Sequence, residues 1–188
     1  MAVYNDTGNS SRGTIAIGTV SGTSVSFGTP VVFETGGSCQ FPTVAHDSAN
    51  NKNVIAFKDD SNSGFATAIV GTTSGTTMSF GTAVVWNAAD TSATFTVYDP
   101  AVEKVVVATK ISGNGIYGIA TVSGTSITFE SNVVFDAASP SQTNIVYDST
   151  NKRMVTCFKD NTSNIGRARV LLVGGDTTNL TAENYIGM

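Results

Sequence analysis

Short apolar runs separated by polar turn residues occupy the whole chain, and within each run apolar and polar side chains tend to alternate. A period of two sends successive side chains to opposite faces of a strand, so the pattern predicts strands throughout. Between residues 42 and 86 the runs PTVAHD, NVIAFKD, FATAIVGTT and TMSFGTAVVW read as four strands, here lettered a to d.

The same four-strand phrase recurs. SGTSVSF at 21–27 returns as SGTTMSF at 74–80 and as SGTSITF at 123–129, a spacing of 53 and then 49 residues. The same register carries VVFE at 31–34, VVWN at 84–87 and VVFD at 133–136. It also carries VAHDSANNKNVIAF at 44–57, TVYDPAVEKVVVAT at 96–109 and IVYDSTNKRMVTCF at 145–158. A period near fifty built only of strands marks a propeller or a solenoid, in which each unit leaves an apolar face for its neighbour to cover.

The expected fold is therefore all-β: a β-propeller of about four blades, each a four-stranded antiparallel sheet, incomplete or completed by another chain. A β-solenoid is the alternative, although its rungs are usually shorter. Residues 1–188 form one repeat domain with an incomplete unit at 1–38 and full units at 39–90, 91–138 and 139–188. AVYND matches IAFKDD and TCFKDN, so the first unit holds only strands b, c and d, and the count is fifteen strands where four whole blades need sixteen. The last unit ends in the diverged VLLVGGDTTNLTAENYIG at 170–187. An unpaired blade edge invites pairing with another chain.

Turn chemistry accounts for several conspicuous residues. Asp47, Asp99 and Asp148 each follow strand a, where an aspartate side chain can bond its own backbone and favour a tight reversal. The Ser-Gly pairs reverse the chain between c and d, and the VVF ending supplies outer-strand packing. GNGIYG at 113–118 matches GxGxxG, but no helix pattern follows it. Asn114-Gly115 is read instead as a tight b–c turn that shortens the third unit.

Composition narrows the function classes. Hydrophobic residues make up 40% and charged residues 13%, a balance suited to short strands and polar turns. The net charge of −4 and a pI near 4.7 argue against nucleic-acid binding, which needs clustered Lys and Arg, and the ten basic residues are scattered along the chain. No apolar run is long enough to cross a bilayer, so membrane insertion is not expected. Cys39 and Cys157 occupy unrelated places in the repeat and read as free thiols. The one histidine, His46, aligns with Tyr98 and Tyr147 and reads as a packed ring, with no partner for nucleophilic or metal chemistry.

The b–c loops are the candidate site. NDTGNSSRG at 5–13, KDDSNSGF at 58–65 and KDNTSNIG at 159–166 hold Asp6, Asp59 and Asp160 in register, with Asn9, Asp60, Asn62 and Asn161 beside them. Repeated oxygen-bearing side chains on one face of a propeller suit the hydroxyls of a sugar or a cation. Asp59, Ser61, Ser63 and Gly64 echo the start of a calcium loop but lack its distal glutamate. No cofactor is expected, with calcium the one candidate. Asp59, Asp60 and Glu34 are the carboxylates that glycoside hydrolysis would draw on; no constellation departs from the repeat as an active site usually does, so no enzyme is expected.

GT(V/T)SGT followed by (S/T)F and VVF, with YDS-x-N-K before strand b and a loop such as KDDSNSG, resembles the repeats of tail-fibre-like and other virion-associated proteins of marine bacteriophages. The resemblance covers nearly the whole chain. It implies a non-enzymatic structural or adhesion module on a virion or extracellular surface, with other virion proteins, copies of itself or a cell-surface glycan as partners. A lectin-like glycan-binding propeller is the alternative, and a polysaccharide hydrolase the second. The short b–c loop of the third unit and Arg167 and Arg169 of the last depart from the repeat.

Overall fold

The computed structural model describes residues 1–173 and the backbone of Asn184–Ile186. Strand accounts for 68% of the described residues and no α-helix occurs among them, so the class is all-β, with antiparallel pairing throughout. No helix of the described residues is long and apolar enough to cross a membrane.

The first unit is a three-stranded sheet ordered β1 (Ala2–Asp6), β2 (Arg12–Ala16) and β5 (Val31–Glu34), with the hairpin β3 (Gly18–Ser21) and β4 (Ser24–Phe27) continuing from β2. The second holds β6 (Cys39–Asp47), β7 (Lys52–Asp59), β8 (Phe65–Ser74), β9 (Thr77–Phe80) and the first half of β10 (Val84–Asp99). The third takes the second half of β10 with β11 (Lys104–Ile111), β12 (Asn114–Ser123), β13 (Ser126–Phe129) and β14 (Val133–Asp136). The fourth is β15 (Ser141–Asp148), β16 (Arg153–Asp160), β17 (Ile165–Leu171) and β18 (Asn184–Ile186). The diverged ending NLTAENYIG at 179–187 lies outside the described residues except for that last strand's backbone.

Strand d differs from the expectation of one continuous strand. TMSFGTAVVW is two strands: β9 pairs with the far half of β8, and Val84 onward pairs with its near half. The residue after the phenylalanine turns back to bond the c strand in each of the first three units, Gly28 N to Ile17 O, Gly81 N to Val70 O and Glu130 N to Ile119 O. Such an irregularity lets one long strand curve under two short ones. Strand β10 then runs from d of the second unit into a of the third, pairing with β8 through Val84–Asp90 and with β11 through Thr91–Asp99.

Turn types follow from the residues. Gly22, Gly75 and Gly124 lie at φ 58°, 60° and 60°, while the threonine after each stays at negative φ, the signature of a type II′ reversal. In the third unit the b–c turn is Ser112-Gly113, both at positive φ and flanked by the pair Ile111–Asn114. This corrects the placement of that turn at Asn114-Gly115, which already belong to β12; glycine at the second turn position lets the backbone close one pair earlier.

Three apolar clusters fill the spaces between consecutive units. Ile15, Ile17 and Phe33 of the first meet Ile55, Phe57 and Met78 of the second. Val54, Ala56 and Trp86 of the second meet Val105, Val107 and Ile127 of the third. Val106, Ala108 and Phe135 of the third meet Met154 and Phe158 of the fourth. The period of two is the cause: along β7, Ile55 and Phe57 face one neighbour and Val54 and Ala56 the other. The aromatic of each VV(F/W) segment crosses to the next unit, Phe33 against Phe57 and Phe80, Trp86 against Phe129, Phe135 against Phe158.

Candidate functional site

The b–c loops and the connections between units meet at one end of the strands. Cys39 N, leaving the first connection, bonds Ser11 O, and Asp60 N bonds Ser38 O of the same connection. Thr91 N bonds Gly64 O, and Lys58 reaches Asp90 at 2.7 Å. In the last unit Ser141 Oγ donates to Asn161 Oδ1 at 2.9 Å and Thr162 Oγ1 to Ala138 O at 3.3 Å. The loops are thus stitched to the chain entering or leaving their own unit.

Most of the predicted carboxylates turn inward. Asp59 is buried, and its Oδ1 accepts from Ser61 N at 3.0 Å and from Ser61 Oγ at 2.5 Å. Asp160 is buried too; its Oδ1 accepts from Thr162 N at 2.7 Å and Ser163 N at 3.2 Å, and its Oδ2 from the Ser163 hydroxyl. The Ser163 hydroxyl, those two amides and Arg167 hold the Asp160 carboxyl below its ordinary range against the opposing effect of burial. Asp60 is half-buried between Gln40 and Lys58. Asp6 and Asn9 are half-buried at a short 3₁₀ turn, and Asp6 makes no cap bond there. Asn62 and Asn161 are exposed. Glu34 Oε1 accepts from Gly36 N at 2.5 Å.

Among the described residues no three His, Cys, Asp or Glu side chains gather closely enough to hold a metal ion. Asp47 and Asp148 bond the two amides and the Asn side chain of their turns, and Asp99 bonds Ala101 N at 2.9 Å. His46 differs from the packed ring expected of it: the imidazole is exposed and lies 3.1 Å from Asn53 Oδ1. Both cysteines are free; burial, with Glu34 next in effect, pushes the Cys39 thiol far up, while Cys157 is exposed.

Two features were not foreseen. At the boundary of the third and fourth units, Arg167 lies 2.6 Å from Asp160 and 3.8 Å from Asp136, and Arg169 lies 3.6 Å from Asp136. The signal was present in the repeat. Strand pairing sets Arg169 where the second unit has Ile69 and Arg167 where it has Thr67, a face that the neighbouring unit covers. Charges there require acids across the boundary. The second is an open groove of about 530 Å³ on the last unit, lined by Gln142, Asn144, Cys157, Lys159, Asn164 and Arg167 among others.

No protein-family model matches this chain, and no curated protein sequence is similar to it.

Proposed function

We propose that this chain is a non-enzymatic β-propeller module serving assembly or adhesion on a phage tail or another virion or extracellular surface. The observation that carries it is the stacking of successive antiparallel sheets across three apolar boundaries, each crossed by one aromatic from the preceding unit. Blades built this way make a rigid scaffold. The buried loop carboxylates Asp59 and Asp160 bond their own turns, which suits a scaffold better than a reaction centre. Immunogold labelling of virions from the source culture with an antibody against this chain is expected to decorate the tail or particle surface; particles that carry none of it would overturn the reading.

The groove favours a second reading, a lectin-like module. Its amides Gln142, Asn144 and Asn164 beside Lys159 and Arg167 provide directional donors and acceptors of the kind that orient a sugar. Reproducible signals on a glycan array, lost on Asn144→Ala or Asn164→Ala with and without calcium, would establish it. Release of reducing sugar that a single carboxylate substitution abolishes would displace both readings in favour of a hydrolase.

A further inference from the structure

Each unit has two unlike faces, one turned to the unit before it and one to the unit after it. In the second and third units both are covered. On the face turned backwards, Met78 is 4% exposed and Ile127 is 3% exposed, each in a cluster with the preceding unit. Their counterpart in the first unit, Val25, is 53% exposed, and Phe27 beside it is 58% exposed. On the face turned forwards, strand pairing makes Val70 and Ile119 the counterparts of Val170 in the fourth unit. The first two are 0% and 5% exposed, whereas Val170 is 37% exposed. Cys157, the counterpart of the buried Ala56 and Ala108, is exposed likewise. Two open apolar faces therefore stand on the molecule, and they are of opposite kinds.

We propose that these faces bind each other between two copies of this chain, head to tail, so that the fourth unit of one copy stacks on the first unit of the next. The occupant follows from the three internal boundaries, where a forward face always receives a backward face. Val155, Cys157 and Val170 are the continuation of Val54, Ala56 and Val70, and Val25 with Phe27 is the continuation of Ile127 with Phe129. The association is heterologous, since each contact uses one face from each copy, and it closes into a ring or extends as a filament. The proposal rests on the stacked-blade reading and on no ligand. A blank glycan array leaves it standing, and a strictly monomeric chain leaves the adhesion reading standing.

The test is sedimentation of the full chain with two charge substitutions on opposite faces. Wild-type protein is expected to form species larger than 19.4 kDa as concentration rises. Phe27→Asp alone and Val155→Asp alone each give monomers, and an equal mixture of the two restores a dimer, because one intact face of each kind remains. Cys157 reports the same contact: at a total concentration ten times the dissociation constant about a quarter of the faces stay free, so it labels with maleimide roughly three- to fourfold more slowly in wild type than in Phe27→Asp. A misfolded variant betrays itself by labelling of buried Cys39 as well. Wild type that stays monomeric at every concentration, variants that still associate, or a mixture that does not would each overturn the proposal.

Discussion

The boundary between the second and third units and the boundary between the third and fourth use the same strands and are filled in opposite ways. In the former, Trp86 lies against Gly118 and stacks on Phe129 with centroids 5.4 Å apart; a Cβ at Gly118 would come within 3.0 Å of both rings. The position that holds phenylalanine as Phe57 and Phe158 is Thr109 here, and it bonds Thr91 and Ala93 O. One large ring, one glycine and one threonine replace a pair of phenylalanines. In the latter, Phe135 meets Phe158 directly, Tyr117 donates to Leu172 O at 3.1 Å, and Asp136 and Asp160 face Arg167 and Arg169. Covering a unit's face demands a volume and a charge balance, and the repeat meets each demand with different residues.

The aromatic anchors offer the largest way to break that comparison. Phe135 is 1% exposed, and Phe135→Ala is expected to cost about 3–5 kcal/mol in urea unfolding, the range for emptying a packed aromatic site. Trp86 carries a buried indole N–H with no acceptor among the described residues. Trp86→Phe therefore loses apolar area but relieves an unpaired donor, and the two offset to within about 1 kcal/mol. A loss of about 3 kcal/mol or more from Trp86→Phe would mean that the indole's packed area outweighs its unpaired donor.

Next in size is the charge cluster. Asp136 is buried opposite two guanidinium groups, so Asp136→Asn is expected to cost about 3 kcal/mol by leaving them less compensated. Acid probes the same boundary together with a turn aspartate outside it. The Asp160 carboxyl lies below its ordinary range through Ser163, the turn amides and Arg167, and Asp148 lies below it through the side chain and amide of Asn151. A carboxyl lowered in the folded state contributes stability above its unfolded pKa, near 3.9, and loses it as pH falls through the folded value. The unfolding midpoint should therefore drop below about pH 4. Asp160→Asn should flatten part of that drop, and a variant with the wild-type profile would remove Asp160 from the account.

Strands, their repeat and the turn aspartates were legible because alternation and Asp-rich turns are local. Asp47, Asp99 and Asp148 bond their own turns as read. The break in strand d was not legible: the GTA of Gly81–Ala83 looks like a continuation of an alternating run, and only the approach of the next unit shows why the strand parts there. The b–c turn of the third unit was misplaced because Ser112-Gly113 and Asn114-Gly115 are both acceptable turn pairs, and the cross-strand register decides between them. In the candidate site, alignment placed Asp6, Asp59 and Asp160 at equivalent strand ends, but burial and hydrogen bonding depend on neighbours that no single loop encodes. The cluster of Asp136 with the two arginines joins residues some thirty positions apart, and nothing local announces it.

The smallest effect distinguishes the two boundaries most finely. A Cβ on Gly81 would lie 2.0 Å from Thr125 O, in the hairpin turn of the next unit, just as one on Gly28 would meet Thr76. Backbone cannot yield as a flexible side-chain tip does, so Gly81→Ala is expected to cost about 1–3 kcal/mol. The third unit has Glu130 in this place, exposed and 3.7 Å from Lys104. An exposed pair of that kind adds little, so Glu130→Ala should change stability by less than about 0.5 kcal/mol. If Glu130→Ala instead destabilised as much as Gly81→Ala, the position would bear on the next unit in all three copies, and the difference between the boundaries would shrink to their aromatic and charged residues.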